Sequence, residues 1–136
     1  MQAPQPQSAA PTGGSAAGQY RFSFLLAWRE RRFAAARCRT LLRLYRAALG
    51  TNPQASAQQL YRLVVATHLG GNAGAADAVL RHAEASYAIW PVSRNLSFRD
   101  VVHYLAVTEF VATHQGSHWV CEDTKGIVEA LIPAEL

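Results

Sequence analysis

Three side chains near the C-terminal end have the types and spacing of a metal site. His114, His118 and Cys121 read His-x-x-x-His-x-x-Cys, with Glu122 and Asp123 beside them. Imidazole and thiolate are zinc ligands, and two histidines four positions apart share one face of a helix. Gly116 and Ser117 interrupt the helix that would align them, and no second cysteine pair completes a tetrahedral set. His103 precedes His114 by eleven residues, about 16 Å along a helix, too far to be a fourth ligand. No metal and no cofactor is assigned.

Asp100 and His103 stand three apart, where a carboxylate can orient an imidazole for acid–base work. Asp100 has a competing role as a helix-capping residue, and His103 reads as a half-buried core histidine. No serine lies in a Gly-x-Ser-x-Gly or Ser-x-x-Lys setting. Gly70, Gly71 and Gly74 follow no strand, so they form no dinucleotide loop. Cys38 falls on an apolar helical stripe. Cys121 adjoins two acids, which oppose thiolate formation. No catalytic residue is assigned, and a non-enzymatic protein is expected.

The arginines are the remaining chemistry. Between Arg21 and Arg46 there are eight arginines and one acid, Glu30, whereas the chain from Ala47 onward has five cations and eight acids. At 100° per residue Arg21, Arg32, Arg39, Arg43 and Arg46 fall together on one side of a helix, with Phe24, Trp28 and Phe33 as aromatic neighbours. Such a face suits another protein, including a second copy of the chain. The alternative is a phosphate backbone or an anionic membrane surface, which the same residues can neutralise. Nothing on it reads base edges. The arginines could also pair with the acids of the rest of the domain.

These residues must be positioned by helices. A stripe of Ala27, Ala34, Cys38, Leu41, Leu42, Tyr45, Ala48 and Leu49 predicts a first helix from about Phe22 to Leu49, with Gly50 as the residue after its end and Pro53 beyond. Ser56-Ala57-Gln58-Gln59 is a capping box that opens a second helix, with Leu60, Leu63, Val64 and Thr67 on its inner face and Gly70-Gly71 at its end. Asn72 opens a third helix, expected to reach Trp90 and stop at Pro91, with Ala76, Val79, Leu80, Ala83 and Tyr87 inward. Ser97 caps a fourth helix with Asp100 three residues on, and Leu96 and Val101 form a hydrophobic staple around that cap. Phe98, Val101, Val102, Leu105 and Ala112 make one apolar face of this helix, and Val107, Phe110 and Val111 a second, which predicts a central position. Trp119-Val120-Cys121 reads as extended. A short helix with Ile127, Val128, Leu131 and Ile132 closes the chain before Pro133. Ala66 and Gly70 have helix-turn-helix spacing, but the following helix starts with alanines and Asp77 rather than cations, so two packed helices joined by a glycine turn are expected.

The chain has 136 residues, half of them hydrophobic, and a mean hydropathy of −0.02. That is enough for one packed core and supplies no run of 18 apolar residues, so no membrane-spanning helix is expected. Its twelve arginines, one lysine and 25 alanines suit a GC-rich, bacterial coding sequence. Residues 1–19 carry no charge and no large apolar side chain apart from Met1, and read as a disordered tail that is not a secretory signal. Residues 20–136 read as a single all-α domain, a compact bundle of four helices plus a short C-terminal one, in the cytoplasm. One charge pair is expected inside it: Glu109 on the apolar face of the fourth helix, and Arg31, which falls away from the other arginines on the apolar side of the first.

Overall fold

The computed structural model describes residues 16–87, 95–114 and 123–136, with side chains from residue 24 onward. The chain is an all-α bundle of four helices closed by a short fifth: α1 (Ala16–Thr51), α2 (Ala57–His68), α3 (Ala73–Tyr87), α4 (Phe98–Thr113) and α5 (Thr124–Leu131). The expectation of a tail over 1–19 falls on residues 1–15 outside the described part. Residues 16–19 already belong to α1.

α1 is the spine, 36 residues and about 54 Å long at 1.5 Å per residue. Neither glycine nor proline interrupts it between Gln19 and Leu49, and alanine, leucine and arginine dominate. It runs two residues past the expected end. Gly50 stays inside the helix, and Asn52 closes it: the Asn52 backbone N–H and side-chain amide both donate to Ala48 O, at 2.9 and 3.1 Å. Satisfying that carbonyl from outside the helix makes the glycine stop unnecessary.

The two capping boxes form as expected. Gln59 N–H donates to Ser56 Oγ at 3.2 Å and Ser56 N–H to Gln59 Oε1 at 2.8 Å. Asp100 N–H and Ser97 N–H make the same exchange at 3.1 Å each. Gly70 and Gly71 take φ of 75° and 87° and end α2, with Gly71 N–H reaching Ala66 O at 2.7 Å. Asn72 Oδ1 accepts from Ala75 N–H at 2.9 Å and opens α3.

The α2 face is rotated from the expected one. Leu60 and Val64 are buried, but Tyr61 and Val65 join them, while Leu63 and Thr67 face outward. The cause is aromatic packing: Tyr61 stacks on Phe98 with centroids 5.7 Å apart, and Tyr45 of α1 reaches the same ring at 4.8 Å. This cluster joins α1, α2 and the start of α4. Farther along, Phe33 of α1 meets Phe110 edge-on at 5.6 Å. α4 buries Phe98, Val101, Val102, Leu105, Ala106 and Phe110 against α1, α3 and α5. Ala112 is exposed, because it lies on the side of α4's last turn away from Phe110, where no described element packs. Leu96 and Val101 are both buried beside the α4 cap.

α5 is too short to persist alone, and other helices hold both its ends. Thr124 Oγ1 donates to Glu30 Oε2 of α1 at 2.5 Å, whereas α5's own N-cap residue Asp123 makes no side-chain cap bond. At the far end Arg99 of α4 donates to Ile132 O and Glu129 O at 2.7 and 2.9 Å. An acid at the N-terminus and a cation at the C-terminus match the helix dipole. Val128 and Ile132 enter the core, and Leu131 is left outside.

Candidate functional site: the outer face of the first helix

α1 packs on α2, α4 and α5 with one side, and the opposite side carries the arginine stripe. Arg32, Arg39, Arg43 and Arg46 are all exposed, spread over about 60° of the helix at 100° per residue. None of the four forms an ion pair with a described acid. Arg32 lies over the Trp28 ring, its guanidinium carbon 4.8 Å from the centroid, which fixes both side chains on the surface. Arg21 lies on the same stripe, and its side chain is outside the described part. Phe24, Leu25 and Trp28 are 64, 43 and 43% exposed, so an apolar patch adjoins the cations at the N-terminal end of α1.

Two other arginines of α1, Arg31 and Arg37, are spent within the fold, whereas Arg29 is exposed. Arg37 donates to Glu109 Oε1 and lies over Phe33, 4.6 Å from its centroid. Glu109 Oε2 lies 2.9 Å from His68 Nε2. Arg31 pairs with Asp123 at 2.9 Å on the surface. The expected Arg31–Glu109 pair is therefore replaced by two others. Arg31 faces the start of α5, and Arg37, six residues or about one and two-thirds turns later, reaches α4. Phe33 likewise leaves the outer face to pack on Phe110.

Elsewhere several of the polar side chains that the sequence singles out are engaged within the fold. A cleft of about 590 Å³ between α3, α4 and α5 is lined by Tyr87, His103, Lys125 and Glu129. In it His103 Nδ1 hydrogen-bonds the Tyr87 hydroxyl, Asp100 serves the α4 cap and Arg99 serves the end of α5. Burial pushes the His103 pKa down, so its ring is neutral at pH 7. His103 is half-buried, as the sequence suggests. His114 stacks on Phe110 with centroids 4.2 Å apart, and His118 and Cys121 lie outside the described residues. Asp77, at the start of α3, is held by Arg62 through two bonds of 2.7 and 3.2 Å. That pair joins the two helices of the glycine turn, and the acid faces its own domain.

Glu30 is the buried charge that sequence reasoning missed. It is 1% exposed, and its Oε1 has no hydrogen-bond partner among the described residues. The signal available was its position, four residues before Ala34 and eight before Cys38, on the edge of the apolar stripe. Among the described residues no helix is long and apolar enough to cross a membrane. Comparison of the chain with protein-family models, curated proteins and solved structures finds no match in any of the three.

Proposed function

We propose that this protein is a non-enzymatic interaction module that binds another protein through the outer face of α1. Its site residues are Arg32, Arg39, Arg43 and Arg46, with Arg21 on the same stripe. One observation carries the reading: these described arginines are exposed and have no described acid opposite them, while Arg31 and Arg37 on the same helix are both paired. The adjoining Trp28 and Phe24 supply the aromatic anchors typical of protein interfaces, where Trp, Tyr and Arg dominate the binding energy. The buried free thiol of Cys38 suits the reducing cytoplasm, which is the compartment this reading favours.

The test replaces Arg39, Arg43 and Arg46 together with glutamine. Partner recovery on affinity purification should fall while the melting temperature stays within a degree or two of wild type, since exposed charges contribute little to folding. Unchanged recovery of the same partners overturns the proposal. Salt dependence separates the readings: a phosphate polymer dissociates with a steep log–log slope against salt, and a protein interface with an apolar centre does not.

A further inference from the structure

Resting on that reading, the pattern of the outer face says what kind of partner fits it. Leu25, Arg32, Arg39 and Arg46 recur every seven residues, and so do Trp28, Ala35, Leu42 and Leu49, three positions behind them. The two series together make the alternating three- and four-residue spacing of a coiled-coil seam. On this scaffold the seam is open to solvent. Leu25, Trp28 and Leu49 are 43, 43 and 40% exposed, Arg32, Arg39 and Arg46 are exposed, and Ala35 and Leu42 are half-buried at its edge.

The seam spans 24 residue steps from Leu25 to Leu49, about 36 Å, or more than three heptads. A straight α-helix drifts about 20° per heptad against such a repeat, so the seam winds gradually around α1 in the sense that a partner helix follows in a left-handed supercoil. Arginine holds one seam position in three successive heptads, and Arg29 and Arg43 flank the seam on one side. A helical partner must answer with carboxylates, because cations facing an apolar or basic helix would be desolvated without a partner. The α1 of a second copy cannot supply them. The only acid on α1 is Glu30, and it is buried against α5.

We infer that the outer face of α1 receives a single acidic amphipathic α-helix from another protein, laid along the seam. The partner's apolar residues pack on Trp28, Ala35, Leu42 and Leu49, and its carboxylates meet Arg32, Arg39 and Arg46 at seven-residue intervals. Arginine at a core seam position weakens a generic coiled coil and selects acidic partners, so the sequence encodes specificity along with attachment.

The test uses the full chain and a labelled helical peptide of about four heptads, with leucine at one seam position and glutamate at the other. An isomer of equal composition has its glutamates moved off the seam. Fluorescence anisotropy should show the seam peptide binding at least about tenfold more tightly than the isomer. Arg39→Glu with Arg46→Glu should abolish that preference at unchanged melting temperature. A peptide with lysine in place of glutamate should then bind the reversed protein. Equal binding of peptide and isomer, or undiminished binding of the acidic peptide to the reversed protein, overturns the helical partner. If neither peptide binds but Arg39→Gln, Arg43→Gln and Arg46→Gln still abolish partner recovery, the arginine surface stands and its helical ligand falls. If duplex DNA or phosphatidylglycerol vesicles bind in preference to the seam peptide, the helical ligand likewise falls. If the glutamine variants also change nothing, both readings fall.

Discussion

Arg37 on α1 and Glu109 on α4 form an ion pair about three-quarters shielded from water, and the second oxygen of the same carboxylate meets His68 on α2 at 2.9 Å. One side chain thereby joins three helices. Burial pulls the Glu109 pKa up, but hydrogen bonds from His68 and Arg37 outweigh it and the net shift is downward. The cost of removing such a carboxylate falls between the limits for exposed and fully buried pairs.

Glu109→Ala should accordingly destabilise by about 2 kcal/mol in urea melts. A double-mutant cycle between Arg37 and Glu109 should give a coupling of about 1 kcal/mol, and one between Arg31 and Glu109 a coupling near zero. Equal couplings would mean that the register of α1 against α4 is wrong. Because the folded pKa lies below the usual 4.5, the carboxylate's contribution is complete above that pH and is lost as pH falls through the folded value.

Glu30 has the opposite sign. Burial pushes its pKa up, and the bond from Thr124 offsets this only in part. The folded state therefore holds the proton more tightly than the unfolded chain, and stability is lost as pH rises from 4.5 through the folded pKa. Glu30→Gln keeps an acceptor for Thr124 Oγ1 and removes the buried charge. It should melt higher than wild type at pH 7, and the gap should close below pH 4.5. A glutamine variant less stable than wild type at pH 7 would show that the charge itself holds α5.

The start of α4 should be sensitive in two unequal ways. Ser97→Ala removes one cap bond and should cost about 1 kcal/mol. Leu96 is 6% exposed and belongs to the main core, so Leu96→Ala should cost about 2 to 4 kcal/mol, more than the cap. A staple acting only at the helix end would give the reverse order in denaturant titrations.

Cys38 is fully buried, and burial pushes its thiol pKa up to about 11 against a small opposing pull from Arg39. With Cys121 replaced by serine, a disulfide reagent at pH 8 should modify Cys38 only through unfolding. Its rate should rise with urea in parallel with the unfolded fraction. Rapid modification of the native protein would contradict the packing of α1.

Local chemistry was legible in the sequence because it is local. The hydroxyl of Ser56 and the amide of Gln59 find each other within one turn, as do Ser97 and Asp100, and Gly70-Gly71 supplies the positive φ that ends α2 wherever the helix lies. Helical periodicity likewise placed Arg32, Arg39, Arg43 and Arg46 on one side of α1, because 100° per residue needs no neighbour to be true. Periodicity cannot say which helix stands opposite a given face. Only the tertiary structure decided that Arg37 rather than Arg31 meets Glu109, since the crossing of α1 and α4 sets which turns touch. It alone turned Tyr61 inward and Leu63 outward, through the Tyr45–Phe98–Tyr61 cluster. And it alone made Glu30 and Arg99 the caps of α5, because their partners lie 94 and 33 residues away, beyond any spacing rule that one helix can express.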